Sequence, residues 1–188
     1  MRSPNAGGVE VDGASVKRLA VCLCLLLGSA AASGAGLELG LRGGQGGANL
    51  DSGTVTRQEV FLRRPLARRY GLGGRWQARP YWALTAGTLK ADGDHSAALG
   101  VGGGARFAPQ GASLGLDLGL SAFWLEEYEL DSFELGGHWQ FTSHLGVYWQ
   151  PHPRWGLTYR VQHTSNAGLY RRNEGLNMQT LELWYRWP

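Results

Sequence analysis

From residue 36 onward the chain alternates apolar side chains with polar or small ones at period two, which sends successive residues to opposite faces of a strand. Leu37, Leu39 and Leu41 interleave with Glu38, Gly40 and Arg42. Trp82, Leu84 and Ala86 interleave with Tyr81, Ala83 and Thr85, and Ala97, Leu99, Val101 and Ala105 with Gly100, Gly102, Gly104 and Arg106. The clearest file runs Leu114, Leu116, Leu118, Leu120, Ala122, Trp124. Trp139, Phe141, Leu145, Val147 and Trp149 oppose His138, Gln140, Thr142, His144 and Tyr148. Trp155, Leu157, Tyr159 and Val161 oppose Thr158, Arg160 and Gln162, and Leu181, Leu183, Tyr185 and Trp187 oppose Thr180, Glu182, Trp184 and Arg186. A weaker candidate spans 55–62. No stretch sustains a helical period.

The pattern predicts eight antiparallel strands, several longer than the roughly 5–6 residues usual in soluble sheets and close to the roughly 9–11 that cross a membrane. A soluble sandwich would alternate too, with shorter strands. Length and the glycine-rich second face favour an all-β, eight-stranded antiparallel transmembrane barrel whose filled interior is small or charged. Asp117, Glu38, Arg42, Arg79 and Arg106 are expected to pair inside it. Tyr81, Trp82, Trp124, Trp149, Trp155, Trp184 and Trp187 fall near strand ends, where interfacial girdles are expected. With the first strand rising from the periplasm, the tight turns at 109–111 and 151–153 are periplasmic and the long connections at 126–132 and 164–177 are external, the outer-membrane arrangement. The connection around 63–70 is long where a short one is expected.

The first 35 residues read as an export signal. Lys17-Arg18 precedes an apolar run at 19–27, and Ala30-Ala31-Ala32 or Ser33-Gly34-Ala35 offers a small-x-small cleavage site. Acids Glu10 and Asp12 ahead of the basic pair suggest that residues 1–15 are a mis-assigned start, with Val16 the alternative. The barrel domain is then 36–188. The nine-residue apolar run is too short to cross a bilayer as a helix.

Composition narrows the chemistry. The chain is 43% hydrophobic and 18% charged, with 30 glycines and no Gly-X-Y period, so it is neither disordered nor collagenous. Both cysteines, Cys22 and Cys24, lie in the leader, so the mature chain has no disulfide or thiolate metal site. Losing Arg2, Lys17 and Arg18 with Glu10 and Asp12 leaves fifteen bases against thirteen acids, a net charge of +2. That excess is weak and concentrated on no one face, which gives no reason to expect nucleic acid.

Chemistry gathers at the end of the seventh strand. His163 and Ser165 are two apart and share the outward face of Trp155, Leu157, Tyr159 and Val161. A histidine beside a serine can take the hydroxyl proton and make the oxygen nucleophilic toward an acyl ester. A polar strand end entering a loop would offer the same two residues. Their place on a lipid-facing stripe favours the functional reading.

The block His163-Thr164-Ser165-Asn166-Ala167-Gly168, followed by Asn173-Glu174-Gly175-Leu176-Asn177, resembles the lipid A 3-O-deacylases (PagL type, acyloxyacyl-hydrolase-like). The match covers about 25 residues of the C-terminal region; the remainder agrees as a barrel with a leader. The resemblance implies an outer-membrane serine esterase that removes the ester-linked 3-O-acyl chain of lipid A, with lipopolysaccharide in the membrane as partner, no cofactor and no metal. It allows a homodimer. Ser165 would be the nucleophile and His163 the general base, with Asn166, Gly168 and Asn173 around the oxyanion. In that family the acid that orients the histidine is a glutamate two residues beyond the glycine matching Gly175. Here that position is Asn177, which parity places on the outward face of the next strand; Glu174 is the fallback acid. Arg171 and Arg172 could meet lipid A phosphates, which suit the guanidinium fork. The alternatives are a non-catalytic structural barrel and a lipid A acyltransferase.

Other features read as structural. His138 and His144 fall on the interior face, His152 sits in a Pro-His-Pro turn, and Gly102-Gly103-Gly104 precedes no helix and so cradles no phosphate.

Overall fold

The period-two segments fold as strands: β1 (Glu38–Gly47), β2 (Val55–Pro65), β3 (Tyr70–Gly71), β4 (Trp76–Ala91), β5 (Asp94–Pro109), β6 (Leu114–Leu125), β7 (Glu129–Leu130), β8 (Phe133–Glu134), β9 (Trp139–His152), β10 (Trp155–Ser165) and β11 (Leu176–Arg186). The structure is a computed structural model and describes residues 36–47, 54–130 and 133–187. The chain divides into two units, Met1–Gly34 and Ala35–Pro188, and the described residues belong to the second. The expected export signal and the alternative start lie outside them.

Eight long strands (β1, β2, β4, β5, β6, β9, β10 and β11) each pair antiparallel with the next, and β1 pairs with β11, so the sheet closes. Following paired residues once round, from Pro65 through Tyr81, Gly104, Gly119, His144, Gln162, Met178 and Gly46, returns to β2 at Val55, ten residues away. That stagger goes with strands tilted by about 35–45°. β4 and β5 are each 16 residues long, more than a membrane crossing needs.

The leucine file faces outward, as the alternation requires: Leu41 is 61% and Leu120 67% exposed. The interior differs from the expected small and charged filling. Its lower part, near the β9–β10 turn, is a charge network in which Glu38, Asp117 and Glu182 bind Arg42, Arg63, Arg106 and Arg160. Its upper part is apolar, with Val55, Leu89, Phe123, Leu125 and Met178 of the wall packing on Leu130, Phe133 and Leu135 of the β6–β9 connection. Interior glycines make room for large partners: a β-carbon on Gly40 would strike the Phe61 ring, one on Gly100 the Phe123 ring, and one on Gly156 the Trp184 ring.

Two girdle expectations are corrected. Tyr81 and Trp184 are buried inside. The Tyr81 hydroxyl donates to Asp117 at 2.6 Å, and Arg106 stacks on Trp184 at 4.4 Å. Charged partners hold these rings in the lumen, where their parity puts them. Arg79 is half-buried at the lower rim with its Nε–H directed to the Leu66 carbonyl, apart from the central ion pairs. The long lower connection contains β3, which pairs with Gln77 and Ala78 at the base of β4 and so extends the wall past the rim.

Candidate active site on the outer wall

Strand β10 builds the site through its alternation. Thr158, Arg160, Gln162 and Thr164 point in and are buried, while Tyr159 and Val161 point out. Within the wall the Thr142 and Thr164 hydroxyls bond at 2.7 Å and tie the upper ends of β9 and β10. His163, exposed, and Ser165, half-buried, end the outward file.

Register then assembles a row across three strands. Asn177 of β11 pairs with His163 from one side and Ser143 of β9 from the other. His163 Nδ1 lies 2.9 Å from Asn177 Oδ1. An amide oxygen only accepts, so Nδ1 carries a proton, and in the neutral ring Nε2 is the nitrogen that holds the lone pair. Gly175 lets the ring lie against the start of β11: a β-carbon there would come 3.2 Å from His163 Cε1 and 3.8 Å from Nε2, and its φ is +67°.

After Ser165 the backbone turns through Ala167 (φ 53°) and Gly168 (φ 83°). A non-glycine residue in this region is unfavourable unless its surroundings fix it, and Asn166 does so. Fully buried, it donates through Nδ2 to the carbonyls of Leu135 and Arg172, and its Oδ1 accepts the Gly168 N–H at 2.9 Å. Its backbone N–H goes to Asn173 Oδ1 at 3.1 Å. The side-chain groups of Asn166 and the Gly168 N–H, expected near the oxyanion, are engaged inside the loop. Asn173 is exposed, and its bond to Asn166 uses only its oxygen, leaving the amide NH2 outside that pair.

The loop after Ser165 is locked to the β6–β9 connection. Glu134 N–H donates to Glu174 Oε2 at 3.2 Å, and Glu134 also pairs with Arg172. A β-carbon on Gly137 would run into the Tyr170 ring. Glu174, the fallback acid, is thus engaged at Glu134, while Asn177 holds the imidazole. Arg172 is neutralised by Glu134; Arg171 is exposed beside it.

Outside the barrel, next to His163 and Asn177, lies an open depression of about 550 Å³ lined by Gln45, Ser143, Leu145, Val161 and Gln179 among others. The Tyr159 hydroxyl donates to Gln179 Oε1 at 2.7 Å. Sequence reasoning named neither Ser143 nor the two glutamines nor the clamp at 134–137. Parity could have found the outward polar positions, and the tandem Gly136-Gly137 marked the clamp.

The family model for lipid A 3-O-deacylase (PagL) matches residues 58–186. The crystal structure of the outer membrane enzyme PagL superposes with a TM-score of 0.67 at 18% identity, covering 78% of this chain and 97% of that one. A de novo designed transmembrane β-barrel superposes with a TM-score of 0.54 at 12% identity, covering 82% and 98%. These likenesses show the fold. No curated protein matches the sequence.

Proposed function

We propose that this chain, which belongs to the lipid A 3-O-deacylase family, performs that family's ester hydrolysis with Ser165 as nucleophile, His163 as general base and Asn177 as the group that orients the base. The enzyme is an ester hydrolase of the outer membrane, acting on lipid A. The observation that carries the serine reading is the His163–Asn177 bond, which engages Nδ1 and leaves Nε2 outside that pair on the face that Ser165 shares.

In this reading the Ser165 hydroxyl attacks the acyl carbonyl as its proton passes to His163 Nε2. The tetrahedral intermediate collapses as imidazolium returns that proton to the departing sugar hydroxyl, leaving acyl-Ser165. Water, deprotonated by the same nitrogen, then releases the fatty acid and restores the serine. The Asn173 amide NH2 supports the oxyanion. Asn177 holds the tautomer without supplying the charge that a carboxylate would give imidazolium. The outer depression accommodates the acyl chain beside Val161 and Leu145, and Arg171 meets a lipid A phosphate.

Labelling with a fluorophosphonate, followed by peptide mapping, tests the assignment. Modification at Ser165 that disappears in His163→Ala supports it. Modification at Ser143, which faces the same imidazole, would transfer the nucleophile's role to that residue.

A further inference from the structure

The small net charge of the mature chain conceals a separation by end, which corrects the even spread expected from sequence. Five arginines and four carboxylates are buried in the lumen. The remaining acids among the described residues gather at the site end, on the β4–β5 turn, on the connection after β6 and at Glu174, against Lys90, Arg171 and Arg172. The opposite end is basic. Arg68, Arg69 and Arg75 stand exposed on the β2–β4 connection and Arg154 on the β9–β10 turn, with Arg79 and Arg186 at the rim. Between Glu59 and Asp92 the sequence contains no acid. Among the described residues the carboxylates of this half, Glu38, Asp117 and Glu182, are all buried and bound to arginines.

Aromatic residues fix the level of this collar. Trp149 and Trp155 pack edge to face at 6.4 Å, Tyr185 and Trp187 do so at 6.1 Å, and Trp76 is exposed at the first position of β4, elsewhere round the wall. Such rings sit at the headgroup level of a bilayer. Arg75 and Arg154 adjoin Trp76 and Trp155 in the chain, so the guanidinium groups stand at the depth of lipid phosphates. Exposed Leu66, Tyr70 and Leu72 are interspersed with Arg68, Arg69 and Arg75, and Arg68 lies over the Tyr70 ring at 4.9 Å. Apolar side chains that enter the interface beside guanidinium groups fit a lipid headgroup better than a soluble acidic partner.

We propose that this arginine collar binds the headgroups of anionic phospholipids, phosphatidylglycerol or cardiolipin, in the leaflet opposite the one the site faces. The choice of leaflet rests on the lipid A reading of the site; the collar itself does not. Zwitterionic headgroups bring an ammonium that no exposed carboxylate among the described residues of this surface receives.

Native mass spectrometry of the protein purified from outer membranes, in micelles containing both phosphatidylethanolamine and phosphatidylglycerol, tests the proposal. The wild type should retain phosphatidylglycerol in preference. Each guanidinium near an anionic lipid surface contributes roughly fivefold, so Arg68→Gln/Arg69→Gln/Arg75→Gln should weaken that retention on the order of a hundredfold. Phosphatidylethanolamine binding and deacylation in detergent should stay unchanged. Heat-modifiable gel migration reports folding, and Arg154→Gln alone, if the triple variant fails to fold, should weaken retention about fivefold. Equal retention of both lipids by the wild type, or undiminished phosphatidylglycerol on the folded variants, would overturn the collar. Absence of lipid A hydrolysis with lipid retention intact would instead overturn the reading of the site.

Discussion

His163 and Asn177 face each other across β10 and β11 with Nδ1 and Oδ1 2.9 Å apart. The amide therefore selects the tautomer that a base needs but leaves imidazolium without a counter-charge. In serine proteases, replacing the triad acid by an amide is costly largely because the tautomer becomes wrong; here the tautomer is right, so the deficit is smaller. Asn177→Asp keeps the shape and adds the charge, and should raise kcat by about 10- to 100-fold. Asn177→Ala should lower it by at least about tenfold, whereas Glu174→Gln, altering a group held at Glu134, should leave it within about twofold. Steady-state hydrolysis of purified lipid A checks all three.

Asn173 uses its oxygen for the Asn166 N–H, so Asn173→Asp preserves that acceptor while removing the NH2. Loss of an oxyanion donor lowers kcat by about 10²–10³-fold, and the account expects a fall of that order with KM little changed. Asn166→Ala acts differently. It removes the bonds to the Leu135 carbonyl, which keeps Gln140, to the Arg172 carbonyl and from the Gly168 N–H, each worth about 0.5–1.5 kcal/mol. The expected result is faster hydrogen exchange across 166–175 and loss of activity in a barrel whose strands stay protected.

Gly175 admits the imidazole because it lacks a side chain, and its φ of +67° belongs to the left-handed region. Gly175→Ala brings a strained backbone and a methyl group 3.2 Å from His163 Cε1. A left-handed residue with a β-carbon costs about 1–2 kcal/mol, which the start of β11 can relieve by shifting the ring. Activity should fall by about tenfold or more, while urea unfolding in micelles shifts by no more than about 1–2 kcal/mol.

Glu182 binds Arg42, Arg63 and Arg160 in the lumen, with all four side chains buried. Glu182→Gln leaves three guanidinium groups short of a charge partner, and breaking a buried network of this kind costs about 3–5 kcal/mol. The midpoint of urea unfolding should drop accordingly, with hydrolysis by the folded fraction unchanged, because the network lies inside the wall and the site outside it.

Much of this was legible in the alternation. Period two gave eight strands and placed His163, Ser165 and Asn177 on one outward face, and the observed register set His163 opposite Asn177. Strand β2 was faint because Phe61 fills the space over Gly40 from inside while Gln58 stands outside, which blurs the contrast between faces. Tyr81 and Trp184 had inward parity, and nearness to strand ends was the weaker cue that misplaced them. What parity could not show was contact between segments distant in sequence: the Asn166–Leu135 clamp, the apolar upper lumen, and the arginine collar, which gathers the separate lower turns.

The most direct test of the account is mass spectrometry of lipid A from cells that export the wild type, Ser165→Ala or Ser143→Ala. The account predicts that wild type and Ser143→Ala remove one 3-O-linked acyl chain and that Ser165→Ala, though folded, leaves lipid A intact. Deacylation that persists in folded Ser165→Ala, or an added acyl mass with the wild type, would contradict it.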